Sequence, residues 1–121
     1  IGRIAIHWSG LEAGVDMLIG AMLETSTQQT HSITTGLGFP FRLDILADLG
    51  KQMRRSKSRN ELAAIISEIR SLLPERNFAI HAFWIGPPTA TVLGIIQKRN
   101  AMGSRSEEWE ISHLESITQR I

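Results

Sequence analysis

The sequence predicts a mainly α fold, a four-helix bundle with a small β-hairpin before the last helix. Three observations predict it. Apolar residues between positions 3 and 24 recur at helical period along one seam. Two further aliphatic stripes, Phe41 to Met53 and Leu62 to Leu73, repeat that period. After Pro88 the pattern turns β-branched and alternating, which suits strands. The chain has 121 residues, 42% apolar and 21% charged, ordinary values for one globular domain. A single helical domain over 1–121 is therefore expected, and disordered or low-complexity architecture is excluded.

The first helix is read over Arg3 to Glu24. Ile4, Trp8, Leu11, Val15, Leu18 and Met22 form its seam, at spacings of 4, 3, 4, 3 and 4. Glu12 and Asp16 lie off it. Gly10, Gly14 and Ala21 form a second stripe of small residues. Each glycine costs about 1 kcal/mol against alanine inside a helix. Two readings account for that cost: close approach of a neighbouring helix, or a subunit contact. Thr25 to Gly38 is rich in Thr, Ser and Gln and reads as a loop with at most one helical turn. Its Gly-Leu-Gly is too short to cradle a phosphate.

Pro40 suits the first position of a second helix, which runs to about Arg55 with Phe41, Ile45, Leu46, Leu49 and Met53 as its stripe. The third helix begins near Ser58 or Asn60. Leu62, Ile65, Ile66, Ile69, Leu72 and Leu73 are its core stripe. Pro74 removes a backbone donor there, so it kinks this helix or starts a new one. The helical pattern resumes through Phe78, Ile80 and Phe83 and stops before Gly86-Pro87-Pro88. Thr89 to Ile96 reads as a strand, Asn100 to Gly103 as a turn, and Trp109 with Ile111 as a return strand. Ser112-His113-Leu114-Glu115 reads as a capping box for a last helix with Leu114, Ile117 and Ile121 on its apolar face.

Composition narrows the function. Lys plus Arg is 13 and Asp plus Glu is 12, a net charge of +1, so a nucleic-acid partner needs a local patch rather than a global field. There is no Cys, which excludes disulfides, thiolate metal sites and a cysteine nucleophile and fits a cytoplasmic protein. No secretory signal pattern is read in the opening residues. Phe78 to Gln97 carries no formal charge over about one membrane span, but its Pro-Pro step would break a helix in mid-membrane, so no membrane role is expected. The histidines His7, His31, His81 and His113 show no i, i+4 pair and no two-histidine-carboxylate pattern, so no metal and no cofactor is expected. No G-x-S-x-G elbow or P-loop is present.

One candidate patch is Lys51, Arg54, Arg55, Lys57 and Arg59, five cations within nine residues and no acid. It reads either as a solvated helix end or as a surface for RNA phosphates. The other candidate is the stretch from Pro74 to Trp84. Asn77, His81 and Trp84 follow i, i+4, i+7 spacing and so would share one helix face. Arg76 stands about 140° from His81 on an ideal helix, a gap for a long side chain or a partner subunit to close. These residue types suit phosphodiester chemistry. A histidine can exchange a proton with a ribose 2′-hydroxyl or a leaving oxygen near neutral pH. A guanidinium can hold the phosphate through its charged transition state. An asparagine can orient either group, and none of this needs a metal.

Glu75-Arg76-Asn77-x-x-x-His81-x-x-Trp84 resembles the HEPN superfamily, whose signature is an Arg, four to six residues and a His, often with a polar residue directly after the Arg. The phrase is similar to that of a bacterial HEPN-like subgroup, as are Phe39 to Leu49 and the segment leading to Trp109. The resemblance implies a HEPN-like helical domain and a metal-independent endoribonuclease. Such an enzyme cuts single-stranded RNA to 2′,3′-cyclic phosphate ends and works as a homodimer whose clefts draw on both chains. Arg76 would stabilise the phosphate, His81 would be the acid or base, and Asn77 would orient them. A toxin or defence effector with an antitoxin partner is one role it implies. Family members with a Tyr two residues after the His belong to nucleotidylation-controlled systems; Phe83 stands at that position here, which argues against that variant. Other members are silent, so two further hypotheses stand. One is a nucleotide- or RNA-binding module without turnover, and the other is a dimerisation domain in which Arg76 and His81 serve packing.

Overall fold

The fold is given by a computed structural model that describes residues 1–85, 91–97 and 104–121, with side chains for 1–82 and 112–121. The expected Gly86-Pro87-Pro88 break and the Asn100 to Gly103 turn lie outside the described residues. The protein is mainly helical. Its elements are α1 (Gly2–Met22), α2 (Thr27–Thr34), α3 (Phe39–Gln52), α4 (Lys57–His81), β1 (Phe83–Ile85), β2 (Thr91–Gln97), β3 (Ser104–Glu110) and α5 (Ile111–Arg120). The chain divides into two compact units, Trp8–Arg70 and Ile1–His7 with Ser71–Ile121.

In the Trp8–Arg70 unit, α1 buries Trp8, Val15 and Ile19, α3 buries Phe39, Leu43 and Leu46, and α4 buries Ile66 and Ile69. The first seam is therefore only partly the core face. Leu18 is 46% exposed, and Ile19 beside it is fully buried. Successive helical residues point about 100° apart, so Leu18 and Ile19 mark the two edges of one apolar stripe. The core lies on the Ile19 side. Trp8 meets Phe39 edge-on, with centroids 5.3 Å apart and planes at 75°, a favoured aromatic geometry.

The second helix departs from the expected stripe. Its buried row is Phe39, Leu43, Leu46 and Gly50, whereas Phe41 is 61% exposed. Gly50 belongs to that row because α4 approaches there: a Cβ on Gly50 would lie 3.2 Å from Leu62 Cδ2. A stripe read from large side chains passes over a glycine that is buried by contact. α3 starts at Phe39, with Pro40 in its first turn and Gly38 as N-cap.

The expected loop after α1 contains a true helix. Ser26 is its N-cap, accepting from Gln29 N at 3.1 Å, and Gln29 Oε1 accepts from Ser26 N at 3.0 Å. This reciprocal capping box satisfies two end donors and makes an eight-residue polar helix possible. The buried Thr30 and Thr34 hydroxyls donate to the carbonyls of Ser26 and Thr30 at 2.9 and 3.0 Å. α4 is a single 25-residue helix that contains Pro74; the exposed proline forfeits one hydrogen bond without ending it.

In the second unit, Ile4, Phe78, Ala79 and Ile117 form the core, with Ile80, Ala82, Leu114 and Ile121 packed against it. α4 ends at His81, earlier than the apolar pattern suggests. Phe83–Ile85 is instead β1, which pairs antiparallel with β2, and β2 pairs antiparallel with β3. The sheet thus has three strands in the order β1-β2-β3, where a two-stranded hairpin was expected. Phe-Trp-Ile is an aromatic and β-branched run, good strand material, and it pairs with β2 along one edge. α5 follows β3 directly and begins at Ile111. Ser112 is consequently inside the first turn rather than its N-cap, so the expected capping box is not the start of this helix.

Candidate functional site

Arg76, Asn77 and His81 all stand in the last turns of α4, within the Ser71–Ile121 part of the second unit. Phe78 and Ala79 fix this stretch by burying its opposite side against Ile4 and Ile117. That anchoring leaves Asn77 and His81 exposed, four residues apart on one face, with Arg76 half-buried. The Arg76 Nη1 donates to Asn77 Oδ1 at 2.9 Å. The guanidinium is thus held by the residue next to it. His81 sits in the C-terminal turn of α4. Trp84, expected on this face, lies in β1 opposite Gly94 and is not part of the helix.

A second group lies on the neighbouring residue and was not foreseen. Glu75 Oε2 is 3.6 Å from Arg120 Nη1 and 4.0 Å from His113 Nε2. That carboxylate oxygen is itself buried and accepts no hydrogen bond among the described residues. The Arg120 ion pair, with His113 beside the same carboxylate, ties α5 to α4. No local spacing in the sequence joins Glu75 to residues so far along the chain.

The basic run lies in the other unit, around the α3–α4 connection. Lys51 faces Asp48 at 3.7 Å and Lys57 faces Glu61 at 3.7 Å, both on open surface where such pairs are worth little. Arg59 Nη1 donates to the carbonyl of Met53 at 3.3 Å, which closes the turn between the helices. Arg54 and Arg55 are exposed and have no side-chain partner among the described residues. Lys57 and Arg59 belong to the first turn of α4, and His81 to its last.

Among the described residues, no group of three or more His, Asp or Glu side chains could hold a metal ion. No described helix is long and apolar enough to cross a membrane. A further charge cluster joins α3 to α1. Arg42 Nη1 donates to both oxygens of Asp16 at 3.1 and 2.9 Å, its Nη2 is 3.9 Å from Glu12, and its guanidinium lies 5.4 Å from the Phe39 ring centre. One guanidinium nitrogen shared between both Asp16 oxygens ties α3 to α1. No family model matches the chain, and no curated protein or solved structure matches it either.

Proposed function

We propose that the protein is a metal-independent endoribonuclease of the HEPN type. It would be a four-helix bundle elaborated by the small β element before its last helix, acting on single-stranded RNA in the cytoplasm. What carries the reading is the pairing of Arg76 with Asn77 beside an exposed His81 on the same helix. In the reaction, His81 takes the proton from a ribose 2′-hydroxyl while the 2′-oxygen bonds to the adjacent phosphorus. The bond from phosphorus to the 5′-oxygen breaks, and that oxygen takes up a proton from water. The products are a 2′,3′-cyclic phosphate and a 5′-hydroxyl. Arg76 neutralises the extra charge on the phosphoryl oxygens, and Asn77 limits its rotamers. The offset between Arg76 and His81 on α4 supports a homodimer in which each cleft takes residues from both chains. Lys51, Arg54, Arg55, Lys57 and Arg59 would bind the RNA backbone, with Arg54 and Arg55 the most available. A toxin or defence effector held by an antitoxin partner is the role this chemistry fits.

The alternative, a catalytically silent nucleotide- or RNA-binding or dimerisation module, is favoured by one observation. The Arg76–Asn77 bond joins neighbours on one helix and serves packing without any substrate. The test is RNA cleavage without metal by the natural chain, Arg76→Ala and His81→Ala. General acid–base catalysis is worth about 10²–10⁴-fold, so each variant should lose at least about a hundredfold in rate while keeping its helical content. RNA left intact by the natural chain, or cut equally by all three, would overturn the proposal.

A further inference from the structure

A hollow of about 470 Å³ lies between α1 and α2, a size common among small-molecule sites. All of its lining residues belong to the Trp8–Arg70 unit. The α1 side is largely apolar and low, built from Ala13, Met17, Gly20 and Ala21. The α2 side is hydroxylic, with Thr27, Thr30 and Thr34 on the helix and Thr25 just before it. Asp16 and His31 complete the lining. Thr30 and Thr34 are only 6% and 4% exposed, so the wall is polar at positions that a plain helix contact would fill with aliphatic residues.

The hydrogen-bond polarity of that wall is fixed. A hydroxyl has one proton to donate and two lone pairs with which to accept. The Thr30 proton goes to the Ser26 carbonyl at 2.9 Å, and the Thr34 proton goes to the Thr30 carbonyl at 3.0 Å. With the Thr30 proton spent, Thr25 is the donor in the 2.8 Å contact between the Thr25 and Thr30 hydroxyls. Three hydroxyls thus have lone pairs to offer and no proton. Asp16 adds acceptors only. Arg42 Nη1 takes one site on each of its oxygens, at 3.1 and 2.9 Å, and a carboxylate has about four such sites. Glu12 and Asp16 bring two negative charges to that cluster and Arg42 brings one positive charge, which leaves one negative charge over.

We propose that this hollow binds a small organic cation, a primary ammonium carried on an apolar body. The three protons of an ammonium match Asp16 and the threonine oxygens, and its charge offsets the surplus of the cluster. The apolar body lies on Ala13, Met17 and Ala21. An anion is refused, because the three fixed hydroxyls have no proton to give it and Asp16 repels it. A neutral alcohol keeps the apolar contact and loses the charge-assisted bonds. The site does not depend on the ribonuclease reading, and Arg76, Asn77 and His81 take no part in it.

The experiment titrates the nitrogen-15-labelled full chain with phenethylammonium and follows the amide NMR shifts, with phenethyl alcohol and phenylacetate as controls of similar shape. The ammonium should saturate with a dissociation constant of about 0.1–1 mM, ordinary for about nine heavy atoms. It should shift amides of α1 and α2 around Gly20 and Thr30. The alcohol should bind at least about fivefold more weakly, and phenylacetate should not bind. Asp16→Asn keeps the shape and an oxygen for Arg42; it should weaken the ammonium at least about fivefold and leave the alcohol unchanged. Ala21→Phe, at an exposed position, fills the hollow and should abolish binding of both, with the helical circular dichroism retained. An ammonium that fails to saturate by about 10 mM, that shifts only amides outside α1 and α2, that binds no better than phenylacetate, or that ignores both variants overturns the proposal.

Discussion

Replacing Gly20 by alanine should destabilise this protein, although a helix-interior glycine ordinarily gives way to alanine with a gain of about 1 kcal/mol. The reason is the approach of α2. A Cβ on Gly20 would overlap Thr30 Oγ1 and lie 3.2 and 3.3 Å from its Cγ2 and Cβ. Thr30 is only 6% exposed, and its hydroxyl is fixed on two sides, 2.8 Å from Thr25 Oγ1 and 2.9 Å from the Ser26 carbonyl. Moving it forfeits up to two hydrogen bonds at about 1 kcal/mol each. Repacking the contact adds about 1–3 kcal/mol. Set against the propensity gain of about 1 kcal/mol, the net loss is up to about 4 kcal/mol. The same substitution at Gly14, where the Cβ is unopposed, should stabilise by up to about 1 kcal/mol in dilute solution. Urea unfolding followed by far-UV circular dichroism reads both changes. A Gly20→Ala variant as stable as the natural chain would refute the described contact between α1 and α2.

Three further outcomes follow from the packing and charges. Arg42→Met removes the ion-pair partner of the partly shielded Asp16 carboxylate and should cost about 2–3 kcal/mol; a double-mutant cycle with Asp16→Asn should show at least about 1 kcal/mol of coupling. Phe78→Ala empties the core between α4 and α5 and should cost about 3–5 kcal/mol in urea unfolding. Arg54→Gln with Arg55→Gln should weaken single-stranded RNA binding across sequences and reduce the salt slope by about 1 for each arginine; fluorescence anisotropy at several salt concentrations measures it.

What could be read from the chain was mostly local. Apolar period located α1, α3, α4 and the α5 face of Leu114, Ile117 and Ile121, because burying one helix side leaves that mark. Which edge of a stripe is core was not legible. Leu18 and Ile19 are neighbours, and only the position of α3 decides between them. α2 was passed over because its composition is polar, although Ser26 and Gln29 stand at capping-box spacing. Phe83 and Trp84 carried helical spacing into a strand, since their pairing with Ile95 and Gly94 is a distant contact. The site divides in the same way. Arg76, Asn77 and His81 are local and stand on one helix as their spacing implies. The Arg42–Asp16 clamp and the Glu75 pairs with His113 and Arg120 join residues far apart in sequence, where periodicity holds no record.

His81 and Arg76 are proposed to perform RNA transesterification without a metal. The most direct measurement maps the 3′ ends of RNA incubated with the protein in EDTA, by mass spectrometry, for the natural chain and His81→Ala. The expected result is 2′,3′-cyclic phosphate ends that appear with the natural chain and vanish with the folded variant. Intact RNA under those conditions, or cyclic ends that persist after His81 is removed, would contradict it.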